Sequence, residues 1–284
     1  MALTVQTAKD IQDFVFTQPR TIQEVAKFLG KNWRTAESYV DEVISQYGTL
    51  GVKTFRQGTR GALKIVYWSH FEKIHANSAQ EDLLEQIKNG RRKTDLDAYD
   101  IYQYADEKKK SFTVRKTGIS EDDLLIKQLS SCRKNVLIFS GNMSFVARKI
   151  GNKTALDAIK ELAKAGISIK IIARLDVASV KNLHDLMKIN KAIGQDLIEV
   201  RHRYQPLRGF IFDSEAARLK DNKEKKNYKN NELVDDITIS YQLDDPIWVS
   251  WLEKVFWHLF SQAVPAKERL AELERINEKA VSKL

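Results

Sequence analysis

TIQEVAKFLGKNWRTAESYVDEVISQYG, residues 21–48, decides how the first part of this 284-residue chain is read. Thr21 followed three residues later by Glu24 is a capping box, and Ile22, Val25, Ala26 and Leu29 behind it share one side of a helix. Gly30 supplies the positive φ that a tight turn needs. A second run from 32 to 47 places Trp33, Ala36, Val40, Val43, Ile44 and Tyr47 at helical spacing, with Trp33 expected toward the core and Gly48 as the stop. Upstream, Ile11, Phe14 and Val15 give another helix an apolar face, ended by the Thr-Gln-Pro-Arg run at 17–20. Downstream, two strands near 51–56 and 63–68 flank the Gly-containing turn at 57–61, so the predicted order is three helices and a two-stranded hairpin.

That order resembles winged helix-turn-helix transcription regulators, which read DNA with the start of the second helix of the motif in the major groove. Base edges and phosphates call for donors and acceptors there, and the sequence offers Lys31, Asn32, Arg34, Thr35 and Ser38. The hairpin adds Lys53, Arg56, Arg60 and Lys64 with no acidic residue between 51 and 63, which suits phosphate contact. The competing reading is a protein-docking module with a solvated hairpin.

Whole-chain charge agrees with a polyanionic partner: 47 Lys and Arg against 38 Asp and Glu leave a formal net charge of +9. A single cysteine, Cys132, excludes an internal disulfide framework and cysteine-based zinc sites, and reads as a partly buried small hydrophobe. The first ten residues lack a signal-peptide core, and no apolar run has the length of a membrane span, so a cytoplasmic protein with no membrane partner is expected. The five histidines form no metal-ligand pair at helical spacing, and Gly-x-Gly-x-x-Gly, Walker and Gly-x-Ser-x-Gly patterns are missing. Neither a cofactor nor a metal is therefore expected.

Residues 71–119 read as a partly helical linker, with a helix near 79–88 and the basic runs 91–93 and 108–110 as solvated connector. From Ser120, where a second capping box with Asp123 is expected, helix and strand alternate. Strands are predicted at 135–140, 167–173, 197–203, 208–212 and 237–241, and helices at 154–164, 177–193, 247–260 and 266–284. The order argues for parallel strands in a two- or three-layer α/β domain. Residues 220–231 are too polar and charged for a tight turn and read as a surface loop.

Within 129–260, the runs Val136-Leu-Ile-Phe-Ser-Gly-Asn142, Ile167-Ser-Ile-Lys-Ile-Ile-Ala-Arg174 and Pro206-Leu-Arg208-Gly-Phe-Ile-Phe-Asp213, with the aromatic helix holding Phe256 and Trp257, resemble the phospholipase D-like fold in the form found behind a winged helix in archaeal TrmB-type regulators. The resemblance implies an N-terminal winged helix (α+β) domain over 1–70, the linker, a phospholipase D-like α/β sandwich over 120–262 and a C-terminal helix over 263–284. Active members carry His-x-Lys-x-x-x-x-Asp, in which the His attacks phosphorus. Aligned on Asp213, this chain has Arg208 for the Lys and Pro206 for the nucleophile, while His202 falls four residues too early. Catalysis by that route is not expected. The resemblance then implies a domain that senses a small anionic or sugar ligand, or that dimerises.

Asn142, Arg208 and Asp213 are the candidate ligand residues, with Arg174, Arg201 and Arg203 nearby; an Arg208 paired to Asp213 or another carboxylate and an Asn142 that caps the next helix are the structural alternatives. Leu270, Leu273, Ile276 and Ala280 form a stripe on the last helix that either packs on its own domain or joins a homodimer. The expected function is a transcription regulator that binds double-stranded DNA. A phospholipase D-type phosphodiesterase or nuclease and a winged-helix adaptor are the alternatives.

Overall fold

The computed structural model describes residues 3–17, 20–56, 62–68, 78–119, 122–227 and 235–281, and the chain forms two units, Met1–His75 and Ala76–Leu284. In the first, α1 (Val5–Thr17) is followed by β1 (Arg20–Thr21), α2 (Ile22–Leu29), α3 (Trp33–Tyr47), β2 (Leu50–Arg56) and β3 (Ala62–Trp68). The capping box forms as its sequence requires: Glu24 N–H donates to Thr21 Oγ1 at 3.1 Å, and Thr21 N–H to Glu24 Oε2 at 2.7 Å. Gly30 ends α2 at φ +61°, and Asn32 caps α3 by accepting Thr35 N–H at 2.9 Å.

Two expectations for this unit are corrected. The two expected strands pair as β2 and β3, but the sheet has a third strand, because Arg20 and Thr21 pair with Val66 and Ile65 in the order β1-β3-β2. Thr21 must be extended to cap α2 (φ −75°, ψ 156°), and that same extension lets the pair of residues join the sheet. Trp33 does not face the core either; it is 46% exposed, and Tyr39 is buried instead, beside Ala36, Val40 and Val43. Trp33 occupies the first position of α3, one turn before the buried stripe is established.

The second unit opens with α4 (Ser78–Asn89), α5 (Ala98–Tyr102) and β4 (Lys110–Lys116). Residues 78–116, expected as linker, therefore belong to the domain, and β4 is the edge strand of its sheet. Its side chains are mostly exposed and flanked by lysines, as an edge strand demands, and that polarity is what reads as connector. Next come α6 (Asp123–Ser131), β5 (Asn135–Phe139), the small hairpin β6 (Lys149–Ile150) and β7 (Lys153–Thr154), α7 (Ala155–Lys164), β8 (Ser168–Ala173), α8 (Val180–Ile193), β9 (Ile198–His202), β10 (Gly209–Phe212), β11 (Ala216–Lys223), β12 (Ile237–Leu243), α9 (Pro246–Ser261), β13 (Val264–Pro265) and α10 (Ala266–Val281). The cap of α6 is Asp122, which accepts Leu125 N–H at 3.3 Å; Ser120 lies outside the described residues. Lys220 to Lys223, expected in a loop, are the end of β11; all four are polar, so no apolar alternation marks the strand there.

The fold is α/β, with an eight-stranded sheet of order β13-β9-β8-β5-β10-β11-β12-β4. Only β5, β8 and β9 are mutually parallel, joined by α7 and α8 as crossovers; every other pairing is antiparallel, so the sheet is mixed rather than parallel. One face packs Val136, Ile138, Ile169, Ile171, Phe210 and Phe212 against Leu125, Leu129, Ile159, Leu162 and Leu186 of α6, α7 and α8. On the opposite face Phe139 meets Phe256 of α9 edge to face at 5.2 Å, and Trp251, Val255 and Phe260 of that helix are buried. Leu270 packs on the core of its own unit, so the first half of α10 is covered there, while the side chains of Ile276 and Ala280 lie outside the described residues.

Candidate functional site

The first candidate surface is the opening of α3. Lys31, Asn32, Trp33, Arg34 and Ser38 are exposed, and Thr35 is half-buried. The Arg34 guanidinium lies over the Trp33 ring at 5.5 Å, which holds a cation and an aromatic edge together at the positive end of the helix. Among the described residues no carboxylate ion-pairs with Lys31 or Arg34. The acidic residue of that turn, Glu37, is engaged with Lys64 of β3, and Asp41 and Glu42 follow toward the C-terminal half.

Two parts of the expected surface change. Asn32 has its Oδ1 committed to Thr35 N–H, which leaves its amide as the free donor end. Lys64 is not a free cation, because its ammonium ion-pairs with Glu37 of α3. The side chains of Lys53 and Arg56, and all of Arg60, lie outside the described residues.

In the second unit the three expected ligand residues separate. Asp213 and Ser214, at φ +54° and +61°, are the central pair of the turn closed by Glu215 N–H on the Phe212 carbonyl at 2.9 Å, within the three-residue β10–β11 connection. From there the Asp213 carboxylate accepts the N–H groups of Arg133 at 2.9 Å, Lys134 at 2.7 Å and Asn135 at 3.1 Å, at the beginning of β5. Arg208 precedes β10 and lies at the opposite end of β5, its Nε and Nη2 so close to Gly141 that a Cβ there would stand 3.0 Å from both. The strand length between them means that Asp213 neither pairs with Arg208 nor shares a site with it. Asn142 accepts Ser144 N–H at 3.2 Å through Oδ1, a local turn contact next to Met143, which precedes the following helical turn, and Asn182 Nδ2 donates to its carbonyl at 2.8 Å.

The other arginines of that neighbourhood have partners. Arg174 pairs with Asp176 at 2.7 Å; Arg201 pairs with Glu199 at 2.8 Å and donates to the Phe260 carbonyl at 3.1 Å; Arg203 donates to Gln262 Oε1 at 3.0 Å. His202 is buried rather than on the surface, with Nδ1 accepting Leu175 N–H at 2.9 Å. Burial first and Arg269 second push its pKa below the usual histidine value. Pro206 is buried, its ring against Gly90. Among the described residues no cluster of three metal-ligating side chains occurs, and no helix is long and apolar enough to cross a membrane.

No family model and no curated protein matches the chain. Solved structures with similar backbones include Nuc, a phospholipase D family member from Salmonella typhimurium (12% identity over 55% of this chain and 97% of that one, TM-score 0.40). NucT from Helicobacter pylori is similar at 19% identity over 55% of this chain and 99% of that one, with a TM-score of 0.38. TrmBL2, an archaeal chromatin protein described as showing a novel mode of DNA binding, aligns over 91% of this chain and 92% of its own at 14% identity and a TM-score of 0.39. Likenesses this distant carry no argument about function, which has to come from the chain's own geometry.

Sequence reasoning missed Lys220. Its backbone N–H donates to Arg208 O at 2.9 Å, which sets the two side chains opposite one another across β10 and β11. A lysine at the end of an apolar-polar alternation was the available signal, hidden once the segment was read as loop.

Proposed function

We infer that the first unit binds duplex DNA through the opening turn of α3, and that the chain is a DNA-binding transcription regulator. The observation that supports this best is the exposed row Lys31, Trp33, Arg34 and Ser38 at a helix N-terminus, presented by the Gly30 turn and without ion-paired carboxylates among the described residues. Cations there engage phosphates, Ser38 and the Asn32 amide reach base edges, and the Trp33 ring offers an apolar edge to a thymine methyl group. The second unit, in this reading, does no phosphodiester chemistry: Pro206 has no nucleophilic atom, and the one neighbouring histidine is buried with Nδ1 engaged by a backbone N–H. Its role is to sense a ligand or to pair two copies.

The test is titration of a random-sequence duplex at two salt concentrations with the intact chain and with Lys31→Ala/Arg34→Ala. Binding should weaken steeply with salt, and the double variant should lower the logarithmic slope by about 2, one for each lost phosphate contact. Absence of binding at low salt would remove the proposal and leave the adaptor reading.

A further inference from the structure

Positive charge is not confined to the surface of this protein. In the second unit Arg115, Arg148, Arg174, Arg208, Arg218 and Lys220 gather where β10 and β11 pass the C-terminal end of β5. Three of the six pair with two carboxylates: Asp122 takes Arg218 at 2.8 Å, and Asp176 takes Arg174 at 2.7 Å. Asp122 also takes Arg115 at 3.0 Å, and Arg148 donates to the Ile119 carbonyl. Arg208 and Lys220 differ. Among the described residues neither has a carboxylate within ion-pairing distance, and the Arg208 guanidinium reaches only the carbonyls of Gln205 at 3.1 Å and Leu207 at 2.6 Å. Like charges directly opposite in a sheet repel, and burial strengthens the repulsion.

We propose that Arg208 and Lys220 are the floor of a binding site for a small tetrahedral dianion, specifically a phosphate monoester, in the second unit. This takes up the sensor half of the function proposed above. Two unmatched cations call for two negative charges on one compact group, and a planar guanidinium fork beside an ammonium suits oxygens on a tetrahedron. Gly141 leaves the guanidinium's edge uncovered, because any side chain there would press on its Nε and Nη2. Gln205 adds a further contact: its Nε2 donates to Ser140 O at 3.1 Å, one residue from Gly141, and its buried Oε1 has no hydrogen-bond partner. An unpartnered buried acceptor on the residue whose carbonyl takes Arg208 fits a ligand that carries a hydroxyl as well as a phosphate, such as a phosphorylated sugar or polyol. Burial, then Arg148, pushes the Lys220 pKa down to about 8, with Asp122 only partly offsetting them, and burial, then Arg174, brings Arg208 to about 10. Both residues are half-buried, Arg208 just before β10 and Lys220 opposite it on the inner strand β11.

Calorimetric titration of the full chain, without DNA, with inorganic phosphate, a hexose phosphate, sulfate and the unphosphorylated hexose tests this. Saturable binding of the hexose phosphate is expected, tighter than phosphate or sulfate, with none for the free hexose. Lys220→Met and Arg208→Met should each weaken it on the order of tenfold to a hundredfold, as loss of one charge-assisted hydrogen bond does. Should Arg208→Met fail to fold, Gly141→Ala, which intrudes on the guanidinium, serves as the second variant and should also weaken binding. Equal affinity for sulfate and hexose phosphate would reduce the site to a dianion site without sugar selectivity and overturn the ligand assignment. No saturable binding, or binding indifferent to Lys220→Met, overturns the site itself. Because DNA is absent from the titration, either failure leaves the DNA-binding reading standing.

Discussion

The two units carry their positive charge in opposite ways. On the first, Lys31 and Arg34 stand in solvent at a helix N-terminus; in the second, Arg218 is buried against Asp122, and Arg208 and Lys220 are half-buried with no ion-paired carboxylate among the described residues. Exposed cations cost little to hold and are screened by salt, so they suit a long polyanion that is gripped at many weak points. Buried cations are expensive unless matched, and where they are matched the geometry is specific. Position relative to solvent, more than the sign of the charge, separates a surface for a polymer from a pocket for a small ion.

The strongest way to break the comparison is to unmatch a matched cation. Asp122→Asn should destabilise the second unit by about 3–5 kcal/mol, because it strands buried Arg218 and weakens the cap of α6. Chemical denaturation would measure it, and a loss comparable to a surface change would mean that Arg218 is less buried in solution than described. Acid acts on the same group. Burial raises the Asp122 pKa, but Arg218 and Arg115 more than offset it, and the net value is lowered; Glu199 is lowered in the same way by Lys170 and Arg201. A depressed carboxylate stabilises the fold above its unfolded pKa, so stability should be lost as pH falls through the ordinary carboxylate range and below it.

The next effect is of opposite sign. Lys220→Met should raise the melting temperature of the anion-free protein, since it removes a charge held without a counter-ion. The intact chain should gain stability as pH rises from about 8 toward the ordinary lysine value, because there the unfolded chain binds the proton that folded Lys220 has released. A fall in melting temperature for the variant would show that the ammonium has a partner after all. On the exposed side, Lys31→Ala/Arg34→Ala should change stability by less than about 0.5 kcal/mol while reducing DNA affinity. The smallest effect belongs to Glu37→Gln. It frees Lys64 from its ion pair, and DNA binding should tighten by about twofold to fivefold at low salt, with little change at high salt.

Elements whose apolar pattern is complete within themselves were readable in the sequence. The box Thr21–Glu24, the Gly30 turn and the run Val136 to Phe139 fix their conformations locally, by capping, by φ and by burial on both faces. What escaped depends on partners far along the chain. Arg20 and Thr21 are a strand only because Val66 and Ile65 lie beside them, and β4 is a strand only because β12 does. Asp213 matched a motif position, yet its carboxylate serves three backbone N–H groups at 133–135, a use that no spacing within its own segment reveals. Arg208 was visible as a candidate; Lys220 was not, since only the β10–β11 register sets the two together.

The pairing of residues 110–116 with 237–243 bears on how the second unit can be handled in isolation. A truncation that starts at 120, where helix and strand begin to alternate in the sequence, would strip β12 of its β4 neighbour and leave one edge of its seven residues, Tyr241 and Leu243 among them, free to recruit other chains. Starting near residue 76 keeps that rim closed, so the fragment to express is longer at its front than hydrophobic periodicity alone would suggest.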